Sequence, residues 1–371
     1  MDQPSARVNE QPPKARKQGV VRDLFGKLAL LTVSTGVCLL VLEYIVRALL
    51  PFFNPKAQIP FHATEDNFFL GPISRQIRQA TPKGDYDVTV SFNQYGFRDT
   101  KNLRESSERD IFVVGDSFSM GWGVEQSQRY SNLLEKKLGR RVFNISIPED
   151  IRGYSKLVKY AEKCGAKVRN LIIGLCVEND LRDYSNGKTS VELFKDQQYL
   201  KASYPLGDRM RGWFWSHSAL YIAASYTIQK SSTLRHLLES IGVARNIDRL
   251  IPNNKFNEQT LASSRDELVN LASNYNSVIL IIPSRALWHG NKLEEEKKVH
   301  ERLVQLLRQA GLHVVDLKPE FERGGHPLSN YFSTDPHWNP SGHSAAADAL
   351  FEYFQSHQTQ PSDEAHSDVR Y

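Results

Sequence analysis

Cysteine is scarce in this chain, with only three in 371 residues. Three thiols cannot form a disulfide framework, and nothing near Cys38, Cys164 or Cys176 has metal-ligand spacing. All three therefore read as inert, and no metal is expected. An excess of one charge is also missing. A formal net charge of +5 is modest and gives no reason to expect a nucleic-acid partner. Much of that excess lies near the N-terminus, where Arg7, Lys14, Arg16, Lys17, Arg22 and Lys27 face only Asp2, Glu10 and Asp23. There is no internal repeat, which argues against a stacked array. What remains is 40% hydrophobic content, enough for one large globular domain with additions or for two small domains.

Residues 28–42 carry no charge, and the apolar stretch continues to residue 50, interrupted by Glu43 and Arg47. Fifteen residues are short for a membrane span, which needs about twenty; counted through residue 50 the segment suffices. Glu43 and Arg47 are four apart on a helix, so they can pair and snorkel toward the far interface. The preceding basic residues imply a cytoplasmic N-terminus, with most of the chain on the outer side. A cleaved leader has the same basic and apolar order, but no small-x-small cleavage site follows residue 42. A buried helix of a soluble protein is the third reading.

The expected organisation is a disordered cytoplasmic tail over 1–23, a transmembrane helix over 24–50, a lead-in over 51–105, a main domain over 106–356 and a disordered tail over 357–371. From residue 111, short apolar runs at 111–114, 141–147, 171–177, 277–282 and 312–317 read as strands. Helical patterns at 129–138, 154–164, 291–309 and 341–354 alternate with them. This alternation predicts an α/β fold with a parallel sheet covered on both faces. About 95 residues separate the third and fourth strands. They are expected to form a helical insertion, about 183–275, that could cap the site. Its Trp213-Phe214-Trp215 cluster is read as core packing in preference to a membrane-facing patch or a sugar platform.

Three motifs follow strand ends: Gly115-Asp116-Ser117, Glu178-Asn179-Asp180 and Asp335-Pro336-His337-Trp338. In doubly wound sheets, ligands bind beyond the carboxyl ends of the strands, so residues far apart in sequence can meet there. Ser117 is the candidate nucleophile. A serine hydroxyl needs a base to take its proton, and His337 suits that task. Asp335 can hold the imidazole tautomer and stabilise the imidazolium. The Ser117 N–H, aided by a helix dipole, the Asn179 amide and the Gly153 N–H are the candidate oxyanion donors. Taken singly, Ser117 could be only a helix cap, Asn179 a loop brace and Asp335 a turn cap. His343 competes as base but lacks the adjacent carboxylate.

These residues resemble the SGNH/GDSL hydrolase family over roughly 111–354, with an insertion. Ser117 in Gly-Asp-Ser fits the first block; Asn144 followed by Gly153 stands for the second, across an interval that fits poorly. Asn179-Asp180 fits the third, with Val177 where glycine is usual, and Asp335 and His337 fit the last. The Asp-x-His-Trp spacing is similar to that of membrane-anchored members and alginate-type O-acetyltransferases, and Asn93-Gln94-Tyr95-Gly96-Phe97-Arg98 looks like the segment preceding the first block in anchored bacterial members. The resemblance implies a three-layer α/β/α, flavodoxin-like SGNH hydrolase fold with a five-stranded parallel sheet, a serine acyl-enzyme, and neither metal nor cofactor. It also implies a bacterial envelope setting: a single pass in the inner membrane, the catalytic domain in the periplasm or outside, and polysaccharide-synthesis proteins as partners. The leading expectation is an esterase acting on acylated glycan. The alternatives are a polysaccharide O-acetyltransferase, a lipase or lysophospholipase, and a catalytically silent glycan-binding scaffold. Fold and triad alone do not choose the substrate.

Overall fold

The computed structural model describes residues 13–50, 53–55, 59–81, 84–185, 187–193, 206–230, 233, 257–290 and 292–358. The first described element is helix α1 (Pro13–Leu49). Residues 13–23, expected as part of a tail, are thus helical; 1–12 and 359–371 lie outside the described residues. Within α1, Asp23–Leu49 is long and apolar enough to cross a membrane. At 1.5 Å per residue these 27 residues span about 40 Å. Its apolar side chains are exposed, Leu30 at 71% and Leu40 at 63%, so it is not the buried helix of a soluble core.

The lead-in forms two small antiparallel pairs, β1 (His62–Ala63) with β2 (Phe69–Leu70), and β3 (Gln76–Ala80) with β4 (Asp87–Ser91). β4 alternates exposed and buried residues, so Val88 and Val90 face inward and join the main core.

The central sheet contains β5 (Ile111–Gly115), β6 (Val142–Asn144), β7 (Asn170–Cys176), β8 (Asn276–Ile282) and β9 (His313–Asp316). All neighbours are parallel and the order is β6-β5-β7-β8-β9. Between these strands lie α2 (Ser117–Met120), α3 (Tyr130–Leu138), α4 (Ile151–Lys163), α5 (Val177–Asp180), α6 (Leu206–His217), α7 (Ala219–Lys230), α8 (Glu258–Ala272) and α9 (Leu293–Gln309). The short α10 (Lys318–Glu322) and the closing α11 (Pro340–Gln358) follow β9. The strands read as continuous apolar runs because both faces are covered. Phe112, Val114, Ile173 and Ile279 join a core with α4, α8 and α9, whereas Ile111, Val113, Ile172 and Leu280 join one with α3 and α11. Each such side chain, fully buried, contributes about 1.5–3 kcal/mol.

The fold is therefore the expected three-layer α/β/α arrangement, and its strand order reverses between β6 and β7, around β5. The insertion is smaller than expected, because α8 belongs to the fold itself. It is the crossover before β8, packed against α4 and α9, with Arg152 bonding Glu267 at 2.6 Å. The true insertion, whose described start runs through residues 187–193, includes α6 and α7. They contact the C-terminal end of α1, where Glu43 accepts from Ala219 N and Leu220 N at 2.9 Å and so caps α7.

Candidate active site

β5 ends at Gly115, where the chain turns sharply into the one-turn helix α2. A side chain at Gly115 or at its β7 partner Gly174 would collide with Ser119, so the turn sits on the sheet only because both are glycine. Asp116, not Ser117, is the N-cap, and its carboxylate accepts from Phe118 N at 2.9 Å. That leaves the Ser117 hydroxyl for other work. It lies 2.7 Å from His337 Nε2. His337 Nδ1 lies 2.6 Å from Asp335 Oδ1, which also accepts the His337 N–H at 3.0 Å. Ser117, His337 and Asp335 thus form one hydrogen-bonded chain at the carboxyl edge of the sheet.

The imidazole is held by packing as well. It stacks on Trp122 with 5.4 Å between ring centroids and lies 4.9 Å from Phe118. The next residue, Trp338, is fully buried against Phe118 and Phe321 and roots the Asp-x-His turn in the core. Burial works to raise the Asp335 carboxyl, but bonds from His337 and Tyr86 together with the His337 charge hold it below its ordinary range. It stays ionised, as an orienting carboxylate must. His343 is buried, stacks on Tyr130 and is pushed down to about 3 by burial and by Arg98 and Arg129. It is a neutral packing histidine.

Asn179 lies in α5, just past the end of β7, and its side chain is exposed. One amide N–H donates to Asp116 Oδ2 at 2.9 Å, which fixes the amide and leaves its second N–H for a ligand. Asp180 is buried beneath this turn, accepting from Cys176 N at 2.7 Å and Tyr154 OH at 2.9 Å, so it braces the turn from below. Glu178 ties β7 to the segment after β8 through Ser284 Oγ at 2.5 Å, and Arg285 Nη1 reaches the Asp335 carbonyl at 3.1 Å.

Gly153 does not fit the role expected of it. Its N–H donates to Asp150 Oδ1 at 3.0 Å, the N-cap bond of α4, and is buried there. A side chain at Gly153 would collide with Glu149, which accounts for the glycine without any donor role. Asn144 is likewise committed inward, donating to Ser119 O at 2.8 Å and Ser131 Oγ at 3.0 Å. The dipole contribution expected at Ser117 is also small, because α2 has only four residues. Of the expected oxyanion donors, the Ser117 N–H and the Asn179 amide remain.

A cleft of about 360 Å³ opens over these groups, lined by Ser117, Asn179, Phe69, Glu149, Arg182 and Leu193 among others. Leu193 belongs to the described start of the insertion; 194–205 lie outside the described residues. Burial raises Glu149 to about 7, opposed by bonds from Ser190 and the Phe69 N–H. Arg182 pairs with Asp150 and lies over the Tyr184 ring at 4.5 Å. Among the described residues no cluster of histidine, cysteine, aspartate and glutamate could hold a metal ion.

The lead-in supplies residues that the motifs did not mark. Tyr86 OH donates to Asp335 Oδ2 at 3.1 Å and accepts from Trp122 Nε1 at 2.7 Å. Arg98 is fully buried and donates to the carbonyls of Met120, Gly121 and Val124, clamping the loop behind Ser117. Burial beside Arg129 lowers its guanidinium to about 9, still charged at neutral pH. The sequence signal for Arg98 was its place in Asn93-Gln94-Tyr95-Gly96-Phe97-Arg98; Tyr86 had none.

A family model described as the SGNH hydrolase-like domain of the acetyltransferase AlgX matches residues 248–370. No curated protein matches the chain. Among solved structures, a member of the lipolytic G-D-S-L family from Veillonella parvula is 13% identical, with 66% of this chain and 98% of that one covered and a TM-score of 0.36. The acetylxylan esterase Axe2 from Geobacillus stearothermophilus is 12% identical, with 67% and 95% covered and a TM-score of 0.36. A carbohydrate esterase family 2 enzyme from Corynascus thermopiles is 14% identical, with 69% and 68% covered and a TM-score of 0.39. The matched segment 248–370 has an SGNH hydrolase-like sequence and includes the Asp335-Pro336-His337 turn that meets Ser117.

Proposed function

We propose that this protein is a membrane-anchored serine enzyme that cleaves acyl esters, chiefly O-acetyl esters, of an envelope or exported polysaccharide. The SGNH hydrolase-like match over residues 248–370 supports an ester hydrolase or O-acyltransferase. The observation that carries the mechanism is the chain Ser117 Oγ–His337 Nε2 at 2.7 Å and His337 Nδ1–Asp335 Oδ1 at 2.6 Å. In the proposed reaction His337 takes the Ser117 proton as Oγ attacks the acyl carbonyl. The Ser117 N–H and the Asn179 amide receive the oxyanion. Proton return from His337 to the departing sugar oxygen leaves an acyl-serine, which a second nucleophile resolves with His337 again as base.

Water as the second nucleophile makes an esterase; a sugar hydroxyl makes an O-acetyltransferase. The second reading is favoured by the family model, which is described for an acetyltransferase. Anchoring in the bacterial inner membrane, with the catalytic domain in the periplasm, is favoured by α1. A leader cleaved beyond residue 43 would also remove Glu43, the cap of α7. Polysaccharide-synthesis proteins are the partners this setting suggests.

The test follows release of an aryl alcohol from a short acetyl ester by the full chain in detergent, with and without oligosaccharide acceptors and with Ser117→Ala as control. Ser117-dependent turnover supports the triad, and acetylated oligosaccharide selects transferase over esterase. A folded protein without turnover on acetyl or long-chain esters would overturn the enzymatic reading in favour of a silent scaffold.

A further inference from the structure

The Trp213-Phe214-Trp215 cluster is not core packing. These side chains are exposed at 56%, 38% and 46%, and Met210, one turn earlier, is exposed at 50%. Large apolar side chains crowded on one short helix of a soluble surface are unusual and mark an interaction site. What covers them is indicated by where α6 is attached. Arg47 donates through Nη2 to the carbonyl of His217, the last residue of α6, at 2.6 Å, while its Nε holds Glu43 at 2.6 Å. Glu43 in turn accepts from Ser218 Oγ at 2.8 Å and caps α7. The polar pair that ends the uncharged stretch of α1 is therefore the point where α6 and α7 join it. Phe53, Ala219 and Ile222 bury a small apolar cluster at the same joint, with Val46 against it. α6 thus leaves the apolar helix at the level where its hydrocarbon-like section stops.

We infer that α6 lies in the headgroup region of a phospholipid bilayer, with Trp213, Phe214 and Trp215 seated at the lipid boundary. The inference rests on the reading of α1 as a membrane span. Tryptophan suits this position because its ring is apolar and its N–H is polar, so it prefers the interface to either side. The aromatic side chains are braced by stacking of Trp213 on His217 at 4.8 Å and of Phe214 on Tyr221 at 5.7 Å, beside the joint with α1. α6 would act as a second contact with the membrane, fixing the tilt of the catalytic domain instead of leaving it on a single swivel.

The experiment reconstitutes the full chain into phosphatidylcholine and phosphatidylglycerol vesicles carrying bromine near the headgroup end of the acyl chains. Tryptophan quenching is compared between wild type and a Trp213→Phe, Trp215→Phe double variant, with ester turnover reporting that both are folded. Trp122, Trp288 and Trp338 belong to the sheet domain, so the variant should lose quenchable emission by about twofold or more. Equal quenching in both proteins, while each still pellets with vesicles after an alkaline wash, would overturn the interfacial role of α6 and leave the anchor standing. Loss of pelleting after that wash would overturn the anchor and α6 with it. Emission that responds to soluble oligosaccharide but not to brominated lipid would reassign the cluster as a sugar platform.

Discussion

The carboxyl edge of the sheet and the lead-in strands meet at the same site and contribute in opposite ways. The sheet edge brings the groups that can react: Ser117 after β5, Asn179 after β7, and Asp335 with His337 after β9. The lead-in brings Tyr86 and Arg98, which hold those groups in place from behind through Asp335 and the loop after Ser117. On the proposed mechanism, one region carries chemistry and the other carries geometry. If that division holds, substitutions at the edge should abolish turnover, and substitutions in the lead-in should detune it.

The largest effect is expected at Ser117. Ser117→Ala removes the proposed nucleophile and should lower kcat by about 10⁴-fold or more, with binding of an unreactive glycan little changed. Residual turnover within tenfold of wild type, about 1.4 kcal/mol of barrier, would mean that the chemistry lies elsewhere. Asn179→Ala should come next. It removes a proposed oxyanion donor and should cost about 10²–10³ in kcat, with KM nearly constant. A rise in KM at unchanged kcat would reduce Asn179 to a ground-state contact.

Tyr86→Phe is the first test of the lead-in. It deletes a hydroxyl bonded to an ionised carboxylate while keeping the ring that packs 5.0 Å from Phe332. Loss of one charge-assisted bond at a distance from the reacting atoms should lower kcat by about tenfold. The Tyr86 bond is one of those that lower the Asp335 carboxyl, so its loss should raise that carboxyl. Activity should then fail at a higher pH on the acid side than in wild type. A merely structural Tyr86 would change the amount of folded protein and leave the pH profile where it was.

The same division explains what could be read from the sequence. Strands of a two-sided sheet are short apolar runs, so β5, β7 and β8 stand out, and the three motifs follow their ends. Ser117, Asn179, Asp335 and His337 are legible only in combination, because each of the first three is an ordinary cap or turn residue and it is their order after successive strand ends that suggests chemistry. Gly153 misled because a glycine expected in the loop after the second strand suggests an available N–H, whereas it lies in the first turn of α4. Only the structure reveals that Asp150 accepts it and that Glu149 fills the space beside it. Tyr86 was invisible because it acts across 249 positions of sequence through one hydroxyl. The extent of the insertion was misjudged for a related reason: α8 has the pattern of any amphipathic helix, and its role as the crossover is fixed by packing on α4 and α9.

The smallest effect on turnover is expected at Glu149, where the two regions touch directly. Its carboxyl accepts the Phe69 N–H of the lead-in at 2.5 Å while lining the cleft beside Ser117, and only 7% of the residue is exposed. Burial raises it from 4.5 to about 7. Between those values the folded protein keeps a proton that the unfolded chain has released, so the unfolded state binds fewer protons and stability falls as pH rises. The fall should begin near 4.5, level off above about 7, and total about 3 kcal/mol at most. Glu149→Gln keeps a carbonyl for the Phe69 N–H and cannot ionise. Urea unfolding of the full chain between about pH 5 and pH 8 should therefore show a smaller fall in the variant, with ester turnover at neutral pH within about threefold of wild type. Parallel curves would place the titration elsewhere, and a loss of turnover as large as that of Asn179→Ala would move Glu149 from the positioning side of the comparison to the reacting side.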